Sequence, residues 1–230
     1  RCSLCDKIMR GIILLAWVPW CSARQQYTHP FQNITELELF FDANTGPGIW
    51  KWRHYFTIYD KHLGRFRGTD AKLIEIGIFS GGGLRMWRNY LGPKATIAGL
   101  DISPLVKTYD NNPAYGKPDR IFVGSQGDPK LWADIHQDVT FDAIIDDGAH
   151  TAGLQIATLD LAFKKLNPGG VYIVEDLMKS LDGDKFVKYV VENYVSGASG
   201  INACRLKPTM KRTPRERASC MDMKCPLISY

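Results

Sequence analysis

The sequence has no cysteine between residues 22 and 203. Its six cysteines lie near the two ends of the chain, at Cys2, Cys5, Cys21, Cys204, Cys220 and Cys225. The folded core therefore needs no disulfide, although a disulfide between the two ends stays open. Cys2 and Cys5 have the C-x-x-C spacing of a pair of zinc ligands. No second pair and no nearby histidine completes a tetrahedral site, so the sequence disfavours a zinc centre there.

The body of the chain also lacks an excess of either charge. Residues 205–230 contain seven Lys/Arg and two Asp/Glu, and this difference equals the whole formal net charge of +5. The preceding residues hold 22 charged side chains of each sign. A neutral body offers no basic surface for nucleic acid, so we expect no nucleic-acid partner. We interpret residues 204–230 as a basic, disordered tail, because their composition is typical of segments that do not fold.

The chain has no long apolar run of the kind that crosses a membrane as a helix. The run at residues 12–20 is shorter than the roughly 20 residues that a spanning helix requires. Basic residues before it, Ser22 and Ala23 after it, and the glycosylation sequon at 33–35 are typical of a secreted protein. We interpret residues 1–26 as a signal-like or anchor leader, the one segment expected to contact a membrane. This favours the secretory pathway, with a cytoplasmic location as the alternative.

Short apolar runs with β-branched residues are, by contrast, frequent. Five of them predict buried parallel strands, at residues 72–79, 96–103, 120–126, 141–147 and 170–177. Segments of helical character separate them, and in one of these segments a stripe of apolar residues approximates helical spacing: Leu154, Ala157, Leu161 and Leu166. The alternation of strand and helix predicts an α/β fold with a doubly wound, mostly parallel sheet.

We place the sheet domain at residues 71–203, after a helical and aromatic N-terminal segment at residues 27–70. No seventh strand is evident after the helix expected at 184–195, which leaves the completeness of the C-terminal strands open. In the N-terminal segment, Lys51, His54 and Tyr55 are candidates to cover a ligand. The aromatic side chains around them are equally suited to packing a helix on the sheet.

The residues at the carboxyl ends of the strands are candidate site residues, because ligands of doubly wound sheets bind there. The first predicted strand is followed closely by glycines, which allow a ligand to approach the backbone. A dinucleotide fingerprint, G-x-G-x-x-G, requires a glycine two residues after Gly77, where this chain has Phe79. The sequence thus argues against NAD, and a dinucleotide-binding oxidoreductase stays an alternative.

The pattern E-x-G-x-x-x-G at residues 75–81 resembles the S-adenosylmethionine-binding motif of the class I methyltransferases. The resemblance implies a Rossmann-like fold with S-adenosylmethionine as the cofactor. It also implies that Asp101 accepts hydrogen bonds from the ribose hydroxyls and that Ser125 and Gln126 contact the adenine. The implied cofactor-binding residues are Glu75, Gly77, Ser80, Gly81, Asp101, Ser125, Gln126 and Asp146.

Four carboxylates cluster at the ends of the fourth and fifth predicted strands: Asp146, Asp147, Glu175 and Asp176. Neighbouring strands lie about 4.8 Å apart, and carboxylates this close repel one another unless a cation binds among them. Oxygen ligands favour a hard cation, magnesium before zinc. The sequence therefore predicts a magnesium site, where the metal would also lower the pKa of an acceptor hydroxyl.

His150 follows the acidic pair of the fourth strand, close to the start of the next predicted helix. Turn chemistry explains an Asp-Gly pair after a strand, but it gives no reason for this imidazole. We predict that His150 is the general base that takes the proton from the acceptor hydroxyl. A helix-capping or surface histidine beside an exposed acidic turn is the structural alternative.

A closer resemblance rests on D-D-G-x-H at 146–150 and on L-N-P-G-G followed by E-D-L within 166–177. Over residues 46–177 the chain is similar to the magnesium-dependent macrolide sugar O-methyltransferases and the cephalosporin hydroxylase-like proteins. The resemblance implies that Asp147, Glu175 and Asp176 bind the metal. It further implies that His150 is the base and that the acceptor is a hydroxyl of a sugar or other polyhydroxylated small molecule.

The chain departs from that group directly after E-D-L. The group has a His-Thr-Ser-aromatic run near the acceptor, whereas residues 178–181 here read Met-Lys-Ser-Leu. The identity of the acceptor is therefore open. A catalytically silent, methyltransferase-like binding module stays a further alternative.

Overall fold

Six strands form one sheet in the computed structural model, which describes residues 11–16, 34–135, 139–178 and 182–195. Every neighbouring pair of these strands is parallel. The strands are β1 (Gly11–Ala16), β2 (Lys72–Ile76), β3 (Thr96–Asp101), β4 (Arg120–Val123), β5 (Phe141–Asp146) and β6 (Leu166–Leu177). The helices are α1 (Glu36–Asp42), α2 (Tyr55–Leu63), α3 (Gly82–Leu91), α4 (Pro129–Asp134), α5 (Ala152–Ala162) and α6 (Gly183–Val190).

The order of the strands in the sheet is β1-β6-β5-β2-β3-β4. The chain moves outward from β2 through β3 to β4, and then returns to the other side of β2 with β5 and β6. The direction of winding therefore reverses between β2 and β5, and the predicted doubly wound fold is confirmed. The five predicted strands correspond to β2 through β6. In such folds the crevice at the reversal, outside the carboxyl ends of the strands, is where ligands bind.

Side chains alternate along the strands and form two cores on opposite faces of the sheet. On one face, Leu73 and Ile173 pack with helices α1 to α3. On the other, Ile74 and Val174 pack with helices α4 to α6. Because both faces are covered, the strands are apolar at successive positions, which is the pattern that made them recognisable in the sequence.

The strand β1 comes from the segment that the sequence analysis interpreted as a leader. Gly11 pairs with Val171 and Leu14 with Val174, so β1 extends the sheet beside β6. A six-residue apolar run suits a buried strand as well as the apolar part of a signal, and composition alone does not distinguish the two. Within the described ranges no helix is long and apolar enough to span a membrane. The rest of the leader, the six cysteines and the tail at 204–230 lie outside the described residues.

The apolar stripe predicted for the helix after β5 is wrong in its orientation. Leu154 is 37% exposed, and Leu166 already belongs to β6. The buried positions of α5 are Ala152, Gln155, Thr158, Leu159 and Ala162. Two of these inward-facing side chains are polar because they hydrogen-bond to groups near the strand ends, so an apolar pattern does not mark this face.

Candidate cofactor and metal site

The loop from Gly77 to Gly82 joins β2 to α3 and lies against two other segments. Gly77 has a φ of +81°, and a Cβ on it would lie 2.1 Å from the carbonyl oxygen of Asp147. A Cβ on Gly82 would lie 2.1 Å from the carbonyl oxygen of Gly48. Only glycine fits at either position. Gly77 therefore lets the turn after β5 contact the end of β2, and Gly82 lets the segment before α2 contact the start of α3.

A cavity opens at the carboxyl ends of β2, β3 and β4. Its lining includes Gly77, Asp101, Ser125 and Gln126, four of the residues that the sequence assigned to the cofactor. The Oδ2 atom of Asp101 accepts a hydrogen bond from the backbone N–H of Phe79 at 3.0 Å, and its Oδ1 accepts one from Ser103 at 2.9 Å. A carboxylate has about four acceptor positions, so Asp101 keeps capacity for two further donors, such as a pair of ribose hydroxyls.

The side chain of Gln126 is engaged within the protein, although it borders this cavity. Its Nε2 donates to Asp146 Oδ1 at 3.0 Å and to Thr158 Oγ1 at 2.8 Å. Its Oε1 accepts a hydrogen bond from the backbone N–H of Ala149 at 2.7 Å. Gln126 therefore fixes the turn after β5, and it has little remaining capacity for the hydrogen bonds to adenine that the sequence analysis assigned to it.

Asp146 is fully buried and hydrogen-bonds to the same turn. Its Oδ1 accepts a hydrogen bond from the backbone N–H of Gly148, and its Oδ2 accepts one from the Tyr172 hydroxyl, both at 3.3 Å. Burial raises the pKa of Asp146 to about 7, against the opposing effect of its hydrogen bonds from Gly148 and Gln126. The structure thus places Asp146 behind the site, where it holds the turn that carries Asp147.

The other predicted cofactor residues lie around or beside a second, smaller cavity. Glu75 and Ser80 line it together with Gly77, which borders both cavities. The Ser80 hydroxyl donates to the carbonyl of Gly48 at 2.8 Å. Gly81 is the N-cap of α3, has a φ of +78° and is outside both linings.

Lys51 occupies the centre of the acidic residues. Its Nζ lies 2.8 Å from Glu75 Oε1, 2.7 Å from Asp147 Oδ2 and 3.0 Å from Glu175 Oε1. The side chain of Lys51 is only 2% exposed. Lys51 was a candidate to cover a ligand, but this contact was not predictable from the sequence. Asp147 and Glu175 lie 96 and 124 residues away from it in the chain.

The buried charges shift one another's pKa values in opposing ways. Burial alone would lower the pKa of Lys51, but the neighbouring carboxylates Asp147, Glu175 and Glu75 raise it well above its usual value. Burial raises the pKa of Glu175 well above the ordinary range and raises that of Glu75, while the Lys51 ammonium opposes both shifts. The Lys51 Nζ lies within 3.0 Å of all three carboxylates and so compensates groups that would otherwise be buried without a partner.

A second group of ligand atoms lies next to this lysine. Asp147, His150 and Asp176 each offer one ligand atom, and these three atoms lie within 4.8 Å of one another. His150 Nε2 is 3.8 Å from Asp147 Oδ1, and the Tyr55 hydroxyl donates to Asp176 Oδ1 at 2.8 Å. The φ angles of His150 and Asp176 are +55° and +51°, a left-handed conformation that is uncommon for residues other than glycine.

The chemistry of this donor set fits a divalent cation. Two carboxylates and an imidazole are ordinary ligands for such ions, with water completing the coordination. The Nδ1 atom of His150 is buried and has no hydrogen-bond partner in the described part of the chain. Asp147, Asp176 and His150 are thus brought together as a candidate metal site.

Glu175, which the resemblance assigned to the metal, is outside that group. It is 1% exposed, and its Oε1 accepts a hydrogen bond from the Tyr59 hydroxyl at 2.6 Å in addition to the contact with Lys51. Its role as a metal ligand stays a prediction.

Period-two alternation is the sequence signal that would have placed Glu175 with Lys51. Successive side chains of a strand point to opposite faces, so Glu175 shares a face with Ile173, and Glu75 shares that same face with Leu73. Both glutamates therefore point toward the side covered by α2, from which Lys51 also enters. Glu175 and Asp176 are adjacent on β6, but Glu175 contacts Lys51 whereas Asp176 accepts a hydrogen bond from Tyr55.

Comparison with known proteins identifies O-methyltransferases with similar sequences. No family model matches the chain. The 8-demethyl-8-alpha-L-rhamnosyl tetracenomycin-C 2'-O-methyltransferase of Streptomyces olivaceus is 32% identical over 169 residues, which cover 65% of this chain and 43% of that protein. The L-olivosyl-oleandolide 3-O-methyltransferase of Streptomyces antibioticus is 32% identical over 162 residues, covering 66% of this chain and 39% of that protein. The chain thus spans less than half the length of either relative.

Among solved structures, an O-methyltransferase from Bacillus cereus in complex with S-adenosylhomocysteine has the same fold. It superimposes with a TM-score of 0.51 over 69% of this chain and 78% of that chain, at 16% sequence identity. The similarity at this identity concerns the fold alone, and it is that of the class I methyltransferases.

Proposed function

We propose that this chain, which belongs to the class I methyltransferases by its fold and its O-methyltransferase relatives, transfers a methyl group from S-adenosylmethionine to a hydroxyl of a sugar or similar polyhydroxylated small molecule. The observation that carries the proposal is the adjacency of two sites. Gly77 borders the cavity that contains Asp101 and Ser125, and it packs directly on the carbonyl of Asp147. A methyl donor in that cavity would therefore lie beside the acidic turn.

The cofactor is held, in this proposal, by groups that the fold has already oriented. The carboxylate of Asp101 accepts hydrogen bonds from the ribose hydroxyls, and its backbone contacts to Phe79 and Ser103 keep both oxygens in place. The backbone of the glycine loop approaches the cofactor without side chains in between. Gln126 and Asp146 act through the turn that they fix, as positioning residues.

The acceptor hydroxyl would be bound and deprotonated at the outer edge of the same turn. Asp147 and Asp176, next to His150, would hold a divalent cation, which supplies Lewis-acid chemistry and lowers the pKa of a hydroxyl bound to it. We infer that His150 takes the hydroxyl proton as the methyl group is transferred, in line with its place next to Asp147.

Two exposed aromatic rings support a sugar as the acceptor. Trp50 and Phe79 are 71% and 68% exposed, and their ring centroids are 5.9 Å apart in an edge-on arrangement. Both residues line the smaller cavity together with Asp147. Exposed aromatic faces beside polar groups suit a ligand with an apolar C–H face and several hydroxyls.

A methyl-transfer assay tests this function. The full chain is incubated with radiolabelled S-adenosylmethionine, Mg²⁺ and a panel of glycosylated and free sugar acceptors, with EDTA as the matched control. We expect transfer that depends on Mg²⁺, and we expect Asp147→Asn to lose turnover while it still binds S-adenosylhomocysteine. Full activity in EDTA would contradict the metal-dependent mechanism, and the acidic cluster would then be a structural turn.

A further inference from the structure

We propose that Lys51 is a positioning residue whose ammonium occupies the space between Asp147 and Glu175, and so determines which carboxylates a divalent cation can reach. This inference rests on the proposed function, since it concerns the same metal site. It assigns a role to a side chain of the segment before α2, outside the strand ends that carry the other site residues.

The geometry of the ammonium uses all of its donors. A lysine ammonium has three N–H groups, and Lys51 Nζ has three carboxylate partners within 3.0 Å, one each from Glu75, Asp147 and Glu175. Glu75 lies in β2, Glu175 lies in β6, and Asp147 directly follows β5. Lys51 therefore fills a position among the carboxylates that would otherwise be open to an external cation.

Both oxygens of Glu175 contact the Lys51 ammonium, which compensates the charge of this carboxylate. They lie 3.0 and 3.2 Å from Lys51 Nζ, and the nearer one also accepts the hydrogen bond from Tyr59. Asp147 is held by Oδ2 only, which leaves its Oδ1 directed toward His150. Lys51 thus divides the acidic edge into an inner part, which it neutralises, and an outer part that faces the candidate metal.

Removal of this ammonium should change metal binding in a definite direction. Lys51→Met takes away a positive charge next to Asp147 and frees the carboxylates of Glu75 and Glu175. The affinity of a carboxylate site for divalent cations rises with the number of charged ligands, and repulsion between the ammonium and the cation disappears. A cation would then occupy the inner space and recruit Glu175 as a ligand.

The test is the affinity of the full chain for Mn²⁺ alone, measured by calorimetry and by electron paramagnetic resonance of free Mn²⁺. We expect Lys51→Met to bind Mn²⁺ about tenfold more tightly than the wild type, and Lys51→Met/Glu175→Gln to lose this gain. Lys51→Arg keeps the charge and should stay within about threefold of the wild type. Wild-type or weaker affinity in Lys51→Met would overturn the proposal.

A second pair of variants keeps the proposal testable if Lys51→Met does not fold. In the presence of Lys51, Glu175→Gln should leave the Mn²⁺ affinity within about threefold of the wild type, whereas Asp176→Asn should weaken it at least about tenfold. A tenfold loss in Glu175→Gln would make Glu175 a ligand and overturn the proposal. If the wild type binds S-adenosylhomocysteine but no Mn²⁺, the role of Lys51 fails and the methyltransferase assignment stands.

Discussion

Replacing Asp101 with alanine isolates one side chain of the proposed cofactor site. The carboxylate accepts hydrogen bonds from the backbone N–H groups of Phe79 and Ser103, and its remaining acceptor positions match two vicinal hydroxyls. A hydrogen bond to a charged group contributes about 1.5–3 kcal/mol. Asp101 is only half-buried, so water replaces part of what is lost. We expect the affinity for S-adenosylhomocysteine to fall by about 1–3 kcal/mol, or roughly 5- to 150-fold.

Isothermal titration calorimetry of the Asp101→Ala protein measures this change, and Asp128→Ala provides a matched control. Asp128 also accepts a backbone hydrogen bond, from Lys130 at 2.9 Å, but it lies outside the cofactor cavity. The control should therefore bind S-adenosylhomocysteine like the wild type. Unchanged affinity in Asp101→Ala, or an equal loss in both variants, would refute the assignment of Asp101 to the cofactor.

Three further substitutions test other parts of the site. His150→Ala should lower turnover by about 100- to 10,000-fold with little change in cofactor affinity, the range for a positioned proton acceptor; wild-type turnover would show that the base lies elsewhere. Gln126→Leu leaves the N–H of Ala149 without its partner, so the free energy of unfolding from urea titration should fall by about 1–3 kcal/mol; an unchanged midpoint would contradict this. Gly77→Ala should abolish binding of S-adenosylhomocysteine or folding, whereas Gly153→Ala, which meets no atom within 4 Å, should do neither.

Much of the fold was predictable because its strands are buried on both faces. The apolar runs that become β2 through β6 have no polar alternation to obscure them, and the acidic and glycine residues at their ends follow from the position of each strand's end. The strand β1 was not predictable in this way. Its apolar run has the same composition as a signal sequence, and pairing with β6 is a long-range contact that no local pattern records.

The site was predictable as a set of strand ends, but the directions of its side chains were not. Asp146 and Asp147 are adjacent in sequence, but they have different partners. Asp146 accepts a hydrogen bond from Tyr172, whereas Asp147 accepts one from Lys51. Such neighbours form one cluster in the sequence, but alternation along a strand separates their side chains. The partner of the inner carboxylates, Lys51, comes from a segment whose position depends on the packing of α2.

Binding of S-adenosylhomocysteine to the purified chain tests the central claim most directly. Calorimetric titration with S-adenosylhomocysteine, in parallel with NAD and with and without Mg²⁺, separates a methyltransferase from a dinucleotide-binding oxidoreductase in one experiment. We expect saturable binding of S-adenosylhomocysteine at one site per chain and no binding of NAD. Binding of NAD, or no binding of S-adenosylhomocysteine to the folded wild-type protein, would contradict the account.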